Sequence, residues 1–209
     1  MAQAGIRRLF FWTNHANMLT LDFPGCRRLV DALDAAVSQR EQTAITEALR
    51  KSLCCLMRDS DVCLPDCVFE RVSDHYARRE LYRSEDLGYS VVAMTWGPGQ
   101  GTPIHDHEGM WCVEGVWAGT LEITPYELVE QRDGRYRFEP RGTMNAGPGS
   151  AGSLIPPHEY HTILNPSEDA IAVSLHIYRG AMTACSVFQP TSDGWYARDR
   201  RQLSLDRTH

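Results

Sequence analysis

The sequence predicts an all-β core, a sandwich or barrel of antiparallel strands, with a helical segment packed on it from the N-terminal side. Three observations carry this reading. Short β-rich runs follow one another from about Tyr82 onward, each bounded by Gly, Pro, Asn or Asp. No alternation of strands with crossover helices appears among them, which argues against a parallel sheet. The first third has a different texture, with apolar residues recurring every three to four positions. A chain of 209 residues, 43% of them apolar, makes one domain with one real core. Residues 1–209 are therefore taken as a single domain, with helices over about 15–80 and the barrel over about 82–196.

The elements follow in order. Leu29, Leu33, Ala36 and Val37 define one amphipathic helix, and Ile45, Leu49, Leu53 and Leu56 define a second after the polar break at Gln39–Gln42. A third short helix is expected after Pro65, capped by Asp66, with Val68, Val72 and Tyr76 turned inward. Tyr89–Trp96 is the first clear strand, ended by Gly97-Pro98-Gly99-Gln100-Gly101. Trp111–Tyr126, Tyr136–Phe138, Ser150–Ile155, Ile171–Tyr178 and Thr183–Phe188 follow as further strand segments. The polar stretch Arg198–His209 is expected to fray.

Composition excludes several classes of function. A formal net charge of -6 gives no overall field for nucleic acid. No apolar run is long enough to cross a bilayer. The opening MAQAGIRRLFFW has too short an apolar stretch for an export signal, so a cytoplasmic protein is the expectation. Seven cysteines without framework spacing then read as reduced thiols. Cys63 and Cys67 have no second Cys or His pair nearby and read as packed thiols.

The chemistry lies in the histidines. His105-Asp-His107 places two imidazoles on one face if the segment is extended, since residues i and i+2 of a strand point the same way. A third imidazole from a distant strand would complete a facial set of metal ligands; His158 and His161 are the two candidates in the other cluster. Three neutral imidazoles leave three positions open on an octahedral ion, enough for a thiolate substrate alongside O2. This differs from a two-histidine, one-carboxylate iron site, which already carries a negative charge. Three histidines also hold catalytic zinc, so the donor set alone does not choose the metal.

The surroundings of these histidines resemble the two sequence motifs of the cupin superfamily, whose fold is a double-stranded β-helix or jelly-roll barrel. Gly99 stands six residues before His105, Gly119 stands twelve after His107, and His161 lies between Pro156 and Asn165. Spacing to Asn165 selects His161 and leaves His158 outside the set. Cys112 occupies the place of the ligand glutamate. Within that superfamily the chain is similar to the cysteine dioxygenase-type thiol dioxygenases. Trp96–His107, Cys112, Ala172–Tyr178 and Cys185 carry this likeness, together with Tyr76-Ala-Arg78 upstream. It covers roughly residues 76–190.

The resemblance implies roles. His105, His107 and His161 would hold Fe(II). Arg78 would clasp a substrate carboxylate with Tyr76 beside it, a task suited to a bidentate guanidinium; Arg83 is a rival for the same task. Ser174, His176 and Tyr178 alternate on one strand face and would form a hydrogen-bonded relay ending beside the iron. Cys112 would form a thioether with Tyr178, or else remain a packed thiol. Two departures from the animal pattern, Trp111 and Arg79, are expected to line the pocket. The implied activity is oxidation of L-cysteine by O2 to its sulfinate, with 3-mercaptopropionate as the rival substrate and a non-catalytic metal-binding cupin as the distant alternative.

Overall fold

The computed structural model describes residues 17–19 and 21–207. The opening stretch read for an export signal and the final two residues lie outside the described residues. Among the described residues, helices α1 (Cys26–Val37) and α2 (Gln42–Leu56) precede the barrel. Its strands are β2 (Ala77–Ser84), β3 (Tyr89–Trp96), β4 (Ile104–His105), β5 (Cys112–Ala118), β6 (Leu121–Arg132), β7 (Arg135–Pro140), β8 (Met144–Ala146), β9 (Ala151–Leu154), β10 (His161–Leu164), β11 (Ala172–Tyr178), β12 (Ala184–Pro190) and β13 (Tyr196–Gln202). A short β1 (Asn17–Leu19) adds to the edge of β2.

The strands make two antiparallel sheets, in the orders β1-β2-β3-β11-β5-β9 and β10-β4-β12-β13-β7-β6-β8. In the second sheet β10 pairs with β4 on one side and with β6 on the other, which closes that sheet on itself. This is a cupin barrel with an N-terminal helical layer. The first sheet is covered on both faces, so every residue of β3 and β11 is buried. Strand alternation divides them. Tyr89, Val91, Ala93, Val173, Leu175 and Ile177 pack against α1 and α2, through Leu29, Leu33, Leu49 and Leu53. Val92, Met94, Trp96 and Tyr178 face the barrel interior. The Tyr89 hydroxyl donates to Asp34 Oδ1 at 2.5 Å, pinning α1 to β3.

Two glycines are required by close approach. A Cβ on Gly115 would lie 2.9 Å from Met57 Cε, so its absence lets the end of α2 settle on β5. Gly119 has φ +72, and a Cβ there would lie 2.6 Å from the Ile171 carbonyl. That turn splits the expected Trp111–Tyr126 strand into β5 and β6, which belong to different sheets.

Several expectations need correction. Strand β2 begins at Ala77, inside the stretch assigned to helices, and β1 lies in it too. The third helix is only a 3-10 turn, Asp66–Phe69, because its carbonyls are spent on the barrel: Thr95 Oγ1 donates to Val68 and Arg79 to Glu70. Val72 and Tyr76 lie beyond it. The Cys63 thiol is exposed, so of the Cys63/Cys67 pair only Cys67 is packed. The stretch from Arg198 does not fray: it carries most of β13, which runs along all of β12. Beyond it, Leu203 and Asp206 are fastened by backbone bonds to Thr183 and Arg78.

Leu53 is completely buried between the helices and the sheet. Leu53→Ala is expected to destabilise the protein by about 2–5 kcal/mol, read as a lower denaturant midpoint.

Candidate metal centre

The two halves of the histidine set reach the interior by different devices. His105 ends β4, and the chain then leaves the ladder. Asp106 points the other way and anchors the turn, its Oδ1 accepting from the amides of Ser186 at 2.8 Å and Glu108 at 3.2 Å. That holds His105 and His107 on the interior side. His161 opens β10 directly opposite His105. Asn165, buried at the far end of this segment, donates to the carbonyls of Trp96, Gly97 and Ala170, and so fixes the glycine loop that precedes His105.

The ring centroids of His105, His107 and His161 lie 5.3, 4.3 and 5.2 Å apart, and one nitrogen from each falls within 4.8 Å of the others. The tautomers of His105 and His161 follow from their partners, while His107 Nδ1 is buried without one. His161 Nδ1 faces the Glu159 carbonyl at 2.8 Å and His105 Nδ1 faces that of Pro103 at 3.2 Å. A carbonyl can only accept, so these Nδ1 atoms carry the protons and the Nε2 lone pairs turn inward. Burial lowers the pKa of all three imidazoles, which keeps them neutral. His161 Nε2 is fully buried without a hydrogen-bond partner. Neutral, converging, unpartnered nitrogens fit a divalent transition metal. His158 is exposed and stands apart from the set.

Around this centre lie the other expected residues. His105, His107, Tyr76, Arg78, His176, Tyr178 and Cys185 line a cavity of about 20 Å³. Tyr76 stacks on Trp96 with centroids 4.5 Å apart. Arg78 is 4% exposed; Nη1 donates to the Ser204 carbonyl and Nη2 to that of Met182, both at 3.0 Å. These bonds lock the guanidinium, while its Nε is left buried and unpartnered. Asp206 closes the segment over it, accepting from the Arg78 amide at 2.8 Å and facing His75 at 2.9 Å. Arg83 does not compete for the cavity: it binds Glu80 at 2.7 Å and is not among the lining residues.

Cys112 on β5 sits directly opposite Tyr178 on β11, and both are buried. Burial raises the pKa of both groups, so thiol and phenol are neutral. Ser174 and His176 face the same interior. The Trp96 indole donates to Ser174 Oγ at 2.9 Å, and Ser174 Oγ lies 2.8 Å from His176 Nε2. The relay does not then pass to Tyr178. The His176 and Tyr178 rings stack 5.9 Å apart, and His176 Nδ1 lies 3.2 Å from Glu114 Oε2. Burial pushes the His176 pKa down to about 3.

Trp111 and Arg79 do not line the pocket. Each is one strand position out of phase, so Trp111 packs toward the helices and Arg79 binds Thr95 and Glu70. Glu114 is the residue that sequence reasoning missed. It is 6% exposed, and desolvation raises its carboxyl to about 7. Its signal was available: a carboxylate two residues after Cys112 in an otherwise apolar strand must share the interior face.

Fold and site together define a cupin with a cluster of three histidines that could hold a metal ion. The chain belongs to the cysteine dioxygenase type I family, whose model matches residues 70–191. Cysteine dioxygenase type 1 of Danio rerio is 25% identical over 120 residues, covering 57% of this chain and 59% of the relative. That of Homo sapiens is 27% identical over 128 residues, covering 54% and 59%. The matched stretch is thus less than two thirds of either curated relative. Among solved structures, TT1209 from Thermus thermophilus is 18% identical with a TM-score of 0.44, covering 57% of this chain and 96% of that one. No helix among the described residues is long and apolar enough to cross a membrane.

Proposed function

We propose that this protein is an iron(II)-dependent thiol dioxygenase that oxidises L-cysteine with O2 to cysteine sulfinate. The observation that supports it best is the convergence of three neutral imidazoles, two of which, His105 and His107, share a single small cavity with the buried Arg78 guanidinium. Bound by His105, His107 and His161, Fe(II) supplies the Lewis-acidic, redox-active centre that draws in a thiolate and activates O2.

The chain's own residues do the rest. Arg78 takes the substrate carboxylate, since its Nε and the remaining Nη hydrogens are free once Ser204 and Met182 have been served. Tyr76, stacked on Trp96, walls the same cavity. Tyr178 stands over the centre, its ring 5.7 Å from that of His107, with Cys112 directly opposite it on the neighbouring strand. Ser174 and His176 hold their protons in a closed chain starting at Trp96, which keeps the imidazole neutral beside the reacting atoms. The product sits at the sulfinic stage of thiol oxidation.

The reading extends to a thioether between Cys112 and Tyr178, supported by their direct opposition on paired strands. Forming it replaces the thiol S–H and one ring C–H with a C–S bond, two protons and two electrons passing to O2. Intact-protein mass after aerobic turnover is expected to fall by two hydrogens in the wild type and to stay unchanged in Cys112→Ser.

The test of the function is O2 uptake by iron-loaded protein given L-cysteine, 3-mercaptopropionate or cysteamine. Fast uptake with L-cysteine and slow uptake with cysteamine is the expected pattern. Preference for 3-mercaptopropionate would reassign the substrate, and no uptake with any thiol would overturn the proposal.

A further inference from the structure

Glu114 is an interior ionisable group to which the proposed reaction gives no task. Its Oε2 is buried with no hydrogen-bond partner among the described residues. The nearest polar atoms are His176 Nδ1 at 3.2 Å, off the line of a hydrogen bond, and His161 Nε2 at 3.8 Å. The second of these is a bare lone pair, because the proton of His161 is held on Nδ1 by Glu159. When Glu114 is ionised, two acceptors therefore face each other across a buried gap, an arrangement that costs free energy until a donor enters.

The space in front of Glu114 is open to a ligand. A second cavity of about 200 Å³ shares Ile163 and His176 with the small one and is walled also by Leu121, Ile123, Met144 and Leu154. Glu114, Ser174 and His176 form its polar end, and no lysine or arginine lines it among the described residues. The carboxylate groups with Cys112 and His176 rather than with the three imidazole nitrogens, so it borders the metal position instead of belonging to it.

Charge is arranged across the sheet. Arg78 projects from β2 and Glu114 from β5, with β3 and β11 between them. Three interstrand spacings separate their backbones by ~14 Å, and both side chains reach inward from there. A cation on one flank and a carboxylate on the other match a small ligand that carries a carboxylate and an amine.

We propose that Glu114 determines specificity: its carboxylate accepts an N–H from the amine of a thiol held at His105, His107 and His161, so the site selects amino thiol acids over amine-free thiol acids. The inference rests on the thiol dioxygenase reading. It gives the buried acid the donor it lacks, 3.8 Å from the His161 nitrogen that would hold the metal.

The experiment compares iron-loaded wild type, Glu114→Leu and Glu114→Gln. Anaerobic calorimetry gives the dissociation constants of L-cysteine and 3-mercaptopropionate, and metal analysis gives the iron content. A hydrogen bond to a charged acceptor supports about a tenfold or greater change. The ratio of affinities, L-cysteine over 3-mercaptopropionate, is expected to fall at least about tenfold in Glu114→Leu with iron content unchanged. In the near-isosteric Glu114→Gln, which keeps a carbonyl acceptor, the ratio is expected to fall less. Equal weakening of both thiols, or an unchanged ratio in both variants, would overturn the inference. So would loss of iron, which would make Glu114 a ligand. A wild type that binds neither thiol would overturn the thiol reading itself, whatever the variants do.

Discussion

His161→Ala is expected to strip the protein of iron, while His158→Ala leaves the iron in place. The two histidines are three residues apart in sequence and opposite in environment. His161 is completely buried, opens β10 directly opposite His105, and turns a bare Nε2 into the centre. His158 lies exposed on the preceding turn. Removing the first imidazole deletes one of three neutral donors, and the adjacent Asp106 carboxylate is committed to Ser186 and Glu108. Loss of an outer hydrogen-bond partner of a metal site commonly costs 10–100-fold in affinity, and loss of a ligand costs more. Iron retained after gel filtration should therefore fall to about a tenth or less in His161→Ala and stay near the wild-type level in His158→Ala. The reverse result would show that the wrong histidine has been chosen.

Arg78→Ala is expected to lower kcat/KM for L-cysteine by roughly a hundredfold or more. Within the barrel a carboxylate has few waters to solvate it, and leaving it there without its cation costs several kcal/mol. Lysine does not restore the fork, so Arg78→Lys should recover only part of the loss. Arg78 also ties the carbonyls of Ser204 and Met182, so a purely structural role has to be separated from recognition. Cysteamine does this. Lacking the carboxylate, it should be a poor substrate for wild type and variant alike. Equal losses on both thiols would assign Arg78 to structure alone, and efficient wild-type turnover of cysteamine would contradict the clasp.

Much of the centre was legible because its spacing is short-range. His105 and His107 are two residues apart, and the glycine turns and Asn165 that position them with His161 leave fixed intervals in the sequence. The central strands were legible because β3 and β11 are buried on both faces, giving apolar runs that no surface strand would carry. What escaped is held by distant partners. Strand β13 reads as a polar tail, Tyr-Ala-Arg-Asp-Arg-Arg-Gln, because backbone pairing with β12 rather than side-chain burial keeps it in place. Strands β4 and β8 are two and three residues long, too short for any alternation to register. The aborted helix after Pro65 was invisible because Thr95 and Arg79, far along the chain, take its carbonyls. Trp111 and Arg79 were misplaced by a single strand position, which sends a side chain to the opposite face. Glu114 was overlooked for the converse reason: attention to Cys112 stopped one alternation short.

The central claim is that both atoms of O2 end on the sulfur of an amino thiol acid. Single turnover of L-cysteine by iron-loaded protein under 18O2, followed by mass spectrometry of the product, tests it most directly. The thiolate gains both oxygen atoms in R–S⁻ + O2 → R–SO2⁻, so the account predicts cysteine sulfinate carrying two 18O atoms and no 18O in water. Cystine as the product, or a sulfinate with only one labelled oxygen, would contradict it.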